Sequence, residues 1–177
     1  ATYAHATIID PLVDDKNEIL ISTYPWARDW ETLGDVYRLN IYTGVRRPVV
    51  GLTQVGGRAY TDGRGELLFA NGTNRNNEYE LYAKAENGWE QITHPILRHA
   101  TPVGFDHESN LAYLVVDTPN QTQTLITWDA KKQVVEEIVQ NETTDISDVL
   151  VQPRSQRPIG VYLNPDYPTV EFFDEGD

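Results

Sequence analysis

Four serines (Ser22, Ser109, Ser147, Ser155) and four histidines (His5, His94, His99, His107) are the residues that could supply a nucleophile and its base. A hydrolytic serine on a strand-to-helix elbow needs the frame Gly-x-Ser-x-Gly, because the glycines permit the strained turn that presents the hydroxyl. None of the four serines sits in that frame, so no catalytic residue is assigned. Ser147 lies in Asp-Ile-Ser-Asp at an expected strand start, where a hydroxyl-to-backbone hydrogen bond is its role. His94 and His99 flank Pro95-Ile96-Leu97-Arg98 and lack the helical spacing of a hydrolytic zinc site. They read as exposed linker residues. No metal site is assigned, no cofactor is implied, and the absence of cysteine excludes disulfides and thiolate ligands. Asp14-Asp15 and Glu136-Glu137 are adjacent pairs, and neighbours on a strand point to opposite faces, so neither forms a two-carboxylate acid/base site. Asp117, Asp145, Asp148 and Asp174 read as turn residues.

One segment offers contact chemistry. Tyr24-Pro25-Trp26-Ala27-Arg28-Asp29-Trp30-Glu31-Thr32-Leu33 separates two expected strands and carries two tryptophans, an arginine and two acids. Long aromatic loops on rigid scaffolds serve recognition. Trp26, Arg28, Asp29, Trp30 and Glu31 are therefore the candidate contacts to a substrate or partner. The competing reading has Trp26 and Trp30 covering a sheet edge or packing on another domain, since large aromatics serve both uses. Three sequons, at Asn71, Asn120 and Asn141, matter only in a eukaryotic secreted protein.

The elements that must position these residues repeat. Val36 to Gly44, Glu80 to Gly88 and Thr124 to Lys132 align at a spacing of 44 residues, with Tyr37, Leu81 and Leu125 at one position and Gly44, Gly88 and Lys132 at the following turn. A period of about 40–45 residues built from short strands is that of propeller blades, each a four-stranded antiparallel sheet. Blades are expected at 5–52, 56–94, 99–140 and 145–174. Asn87-Gly88 is expected as a hairpin turn, and the last block stops before a fourth strand. Leu111 to Val116, Ile19 to Ile21 and Leu67 to Phe69 are apolar on both faces, as strands covered on both sides must be. The expected fold is all-β, a partial propeller of about four blades forming a single fragment over 1–177. A two-sheet sandwich is the rival, but it has no reason to keep a registered period.

Twenty-seven acidic against fourteen basic residues give a formal charge of -13 on 177 residues. Such a surface repels phosphate backbones, so no nucleic-acid partner is expected. No apolar run approaches the roughly 20 residues of a membrane span, and no membrane association is expected. The chain opens Ala1-Thr2-Tyr3 and contains no methionine, which reads as a processed product or a piece of a longer protein. Four blades would leave two end faces uncovered, so either self-association or unusually polar end blades are expected.

Gly34 to Gly44 resembles blade strands of the N-terminal propeller in prolyl oligopeptidase-type (family S9) serine peptidases. Val103-Gly104-Phe105-Asp106 with Leu111-Ala112-Tyr113-Leu114 is similar to that family's element of Gly-Phe, turn and strand, and Asp145 to Leu150 with Pro153 and Arg157-Pro158 looks like the blade that follows. The likeness runs from about Ile8 to Asp174 and points to a bacterial member of the prolyl oligopeptidase or acylaminoacyl-peptidase branch. It implies a non-catalytic propeller that gates and orients peptide substrates for a downstream α/β-hydrolase domain of the same protein, a domain not contained in these residues. The sequence leaves the compartment open between bacterial periplasm and cytoplasm, with a soluble protein expected. The alternative is a stand-alone protein-binding propeller, similar to the periplasmic translocation-protein type, whose turn-plus-strand pattern is the same.

Overall fold

The computed structural model describes residues 4–26, 32–118, 121–153, 155–164 and 166–173. Among them there are fourteen β-strands, every pairing is antiparallel, and there is no helix. The protein is all-β. Its chain forms two compact units, Ala1–Arg98 and His99–Asp177. None of the three sheets is closed.

The first unit is one seven-stranded meander in chain order: β1 (Ala4–Asp10), β2 (Glu18–Pro25), β3 (Leu33–Asn40), β4 (Arg46–Thr61), β5 (Leu67–Thr73), β6 (Tyr79–Ala85) and β7 (Gly88–Gln91). The expected blades 5–52 and 56–94 are joined through β4, which runs for 16 residues. Its first part pairs with β3 and its last part with β5, and the register shifts between Val55 and Arg58. Gly56 has φ +61° there, which costs a glycine little and other residues more. Beside it, a Cβ on Gly72 would lie 2.9 Å from the Gly57 Cα, so β4 and β5 approach through bare backbone.

This irregularity turns the sheet back on itself. Leu20, Val36 and Leu52 from its first half share one core with Ala59, Leu67 and Ala70 from its second, and Trp89 packs against them. Two contacts link halves that a flat sheet would hold far apart: Trp89 Nε1 donates to the Gly51 carbonyl at 2.9 Å, and Gly65 N to Asp10 Oδ2 at 3.0 Å.

The second unit holds two sheets. β8 (Thr101–Asp106), β9 (Leu111–Val116), β10 (Thr124–Asp129) and β11 (Val134–Gln140) form one; β12 (Ile146–Val151), β13 (Pro158–Leu163) and β14 (Thr169–Phe172) form the other. Leu125 of the first sheet packs with Ile146, Val161 and Leu163 of the second, with Val103, Val115 and Val139 around them. Gly104 is required by proximity, because a Cβ there would lie 2.2 Å from the Gln156 carbonyl oxygen.

Aspartates close the first strand in three of the four runs. Asp10, Asp62 and Asp106 are all buried. Asp10 accepts from Leu12 N at 2.8 Å, Asp62 from Arg64 N at 2.8 Å and Glu66 N at 2.9 Å, and Asp106 from Glu108 N at 2.9 Å. A short carboxylate that satisfies the next backbone N–H groups shapes the turn into the following strand. In the last run Gln152 stands at this place, its carbonyl accepting from Gln156 N at 2.8 Å.

The repeat is one residue less regular than the spacing of 44 implies. Asn40 and Asp129 cap matching turns, accepting from Thr43 N at 2.9 Å and Lys132 N at 3.0 Å, and the left-handed residues that follow are Gly44 and Gln133. The equivalent of Leu125 is therefore Val36, fully buried as Leu81 and Leu125 are. Tyr37 faces the other way, under the Arg46 guanidinium 5.2 Å from its ring centre. Likewise the β6–β7 connection is Glu86-Asn87, with Ala85 paired to Gly88. Positive φ falls on Gly88 and not on Asn87, so this is not the type I′ turn that Asn-Gly suggests.

Candidate functional site

Of the loop residues singled out in the sequence, Trp26 is 82 % exposed at the end of β2. Arg28, Asp29, Trp30 and Glu31 lie outside the described residues. The structure therefore brings none of these five together, but it does show what the loop is anchored to. β2 ends at Pro25 and β3 begins at Leu33, which pairs with Val55; Val55 pairs with Thr73, and Thr73 with Tyr79. One end of the folded sheet thus collects a set of phenols and amides.

Tyr24 donates from its hydroxyl to the Gly57 carbonyl, tying β2 to the irregularity in β4. The Asn71 amide donates to the Tyr60 hydroxyl at 2.8 Å and to the Tyr79 hydroxyl. Glu80 accepts from the Asn74 amide at 2.8 Å and from the Tyr82 hydroxyl. Burial raises the Tyr60 phenol to about 12, helped by the neighbouring Tyr79. Tyr24 is also raised by burial, and Tyr82 by burial and then by its bond to Glu80. These phenols stay protonated near neutrality, so they offer hydrogen bonds and aromatic faces; none is poised to take a proton. Recognition chemistry fits such a set better than acid/base chemistry. No local motif could have exposed it, because Tyr24, Tyr60, Asn71 and Tyr79 sit on four strands and meet only through the register.

The serines hold structure. Ser22 is buried in β2; Ser109 donates to Asp106 Oδ2 at 2.7 Å, Ser155 to Gln152 Oε1 at 2.7 Å, and Ser147 across its sheet to the Tyr162 carbonyl at 3.0 Å. None of these partners is a histidine. His99 is exposed as expected, but His94 is half-buried with its Nδ1 shielded from solvent. His107 meets the Phe105 ring edge-on at 5.2 Å. Among the described residues, no three His, Asp or Glu side chains are grouped to hold a metal ion. Asn71 is 4 % exposed with both hydroxyl partners engaged, so its sequon is not a surface acceptor.

Comparison with protein-family models, with curated proteins and with solved structures finds no match for this chain.

Proposed function

We propose that these residues are a run of propeller blades that bind and orient peptides, the non-catalytic part of a serine peptidase whose nucleophile resides in a hydrolase domain elsewhere in the same protein. The observation that carries this reading is the repeated unit. A first strand closed by a buried aspartate turn leads into a second strand buried on both faces, as in Asp10 with Leu20 to Thr23, Asp62 with Phe69 to Gly72, and Asp106 with Ala112 to Leu114. Units of this kind stack face to face, which is how blades cover one another. The resemblance of Gly34 to Gly44 and of Val103 to Leu114 to family S9 blades supplies the functional half of the proposal.

The test is twofold. The isolated chain should turn over no acyl-aminoacyl or prolyl chromogenic peptide and should take no label from a serine-directed fluorophosphonate. Peptides carrying a photoreactive group should crosslink between Tyr24 and Leu33, and less so after Trp26→Ala. Inhibitor-sensitive turnover by the chain alone would overturn the proposal, as would crosslinks scattered without regard to that end of the sheet.

A further inference from the structure

β5 and β6 stay paired from Thr73↔Tyr79 to Phe69↔Ala83, and their pairing stops there. Each strand continues with its other neighbour, β5 to Leu67↔Thr61 and β6 to Ala85↔Gly88. Leu67-Leu68 and Lys84-Ala85 are not paired with each other, and they line an open cleft of about 490 Å³ together with Leu20, Arg38 and Val49 from the other half of the folded sheet. That volume suits a small ligand.

Two cations line it, and among the described residues neither has a carboxylate within hydrogen-bonding distance. The Glu18 carboxylate is held by Arg47, whose Nη2 lies 2.6 Å from both oxygens. Arg38 is left 3.7 Å from Glu18, too far for a hydrogen bond, and its guanidinium reaches over Gly65. It also borders a neighbouring cleft of about 210 Å³. Lys84 donates to the Ala85 carbonyl and lies 5.9 Å from the centre of the Trp89 ring, and it forms no ion pair among the described residues. An ammonium has three donors and a guanidinium five, so both residues have more N–H groups than these contacts use. In a chain of charge -13, Arg38 has only a long share of a carboxylate already taken by Arg47, and Lys84 has no ion pair among the described residues. Glu66 and Glu86 also line the cleft, but both are exposed to solvent, where water and salt screen them more than they screen the cations.

We propose that this cleft binds a small carboxylate, with Arg38 and Lys84 as its two partners. Arg38 presents the planar fork that pairs two carboxylate oxygens, and Lys84 the point charge. Peptide C-termini and free organic acids share this chemistry, and the proposal does not depend on the peptidase reading above.

The experiment uses the whole chain and two readouts, calorimetry and the fluorescence of Trp89, which touches Lys84. An acetylated dipeptide acid, its C-terminal amide, and succinate are titrated. Saturable binding of the acid should weaken at least about tenfold in the amide, as removing a charge-assisted pair requires. It should also weaken in Arg38→Gln and in Lys84→Gln, recover in part in Arg38→Lys, and tighten in Glu86→Gln. Binding by succinate as well as by the peptide acid identifies a general carboxylate site, and binding by the peptide acid alone identifies a C-terminus site. Trp89→Phe should remove the optical signal while leaving the calorimetric one. Equal binding of acid and amide, no saturable heat, or unchanged affinity in both charge variants with native circular dichroism would overturn the proposal.

Discussion

From 4 to 98 the chain covers its apolar faces by turning one seven-stranded sheet back on itself, whereas from 99 to 173 it lays two separate sheets together. The two units meet the same demand with different means. In the first, β4 carries the main chain from one layer to the other, and Gly56 and Gly57 make the corner. In the second no strand is shared between the sheets, and the layers are held by Leu125, Val161 and Leu163 and by the close approach at Gly104. A covalent corner tolerates imperfect packing, because the layers remain neighbours when a side chain is lost. Layers that share no strand and are joined only by the short segment between β11 and β12 have less of that reserve.

The comparison is broken most directly by making matched cavities. Leu125→Ala and Leu20→Ala each empty a fully buried site. Burial predicts a loss of about 3 kcal/mol for either. The loss should be the larger at Leu125, and hydrogen exchange should then open β10 together with β12 and β13. Urea unfolding with site-resolved exchange decides this. Equal losses, or a larger one at Leu20, would mean that the shared strand gives the first unit no such reserve.

A smaller effect sharpens the contrast between the two kinds of glycine. Gly104→Ala drives a methyl against the backbone oxygen of Gln156, so the layers must separate, at a cost of about 2–3 kcal/mol. Gly56→Ala meets nothing within 4 Å and costs only the strain of a left-handed φ, about 1 kcal/mol. Thermal melts of the two variants should rank in that order, and the reverse ranking would place the critical approach at the β4 corner.

Much of this architecture was legible in the residues. The strands at Glu18 to Ser22, Leu67 to Ala70 and Leu111 to Val116 follow from apolar runs bounded by turn residues. The fused strand was not legible, because Gly56-Gly57 reads as a break between strands and only pairing partners show that β4 runs through it. The slip from Tyr37 to Val36 was hidden for a similar reason: tyrosine and valine are both good strand residues, and a period of 44 does not reveal which face each one takes. The phenol cluster and the cationic cleft depend on contacts between strands far apart in sequence. No local pattern encodes those contacts.

The finest test concerns the aspartate turns, which serve both units alike except in their neighbours. Asp106 is buried, which pushes its carboxyl up, but the Ser109 hydroxyl, the Glu108 and Ser109 backbone N–H groups and the Arg157 charge together hold it below its ordinary value of 3.8. Arg157 Nε lies 3.7 Å from Asp106 Oδ2, so a charge beside β13 bears on the turn that ends β8. A carboxyl depressed in the folded state contributes stability above its unfolded value, and that contribution drains away as the pH falls through the folded one. Asp106→Asn should therefore destabilise the second unit by about 1 kcal/mol at neutral pH, the worth of its hydrogen bonds. The variant and the parent should converge as the pH falls through the parent's depressed value. Arg157→Gln should shift the acid limb of the parent's profile toward higher pH, because the charge that favours the carboxylate is gone. Denaturation midpoints followed from pH 2 to 7 read all three. A difference between parent and Asp106→Asn that stays constant across the range would assign the turn to shape alone, with no part for the charge that reaches it from the other sheet.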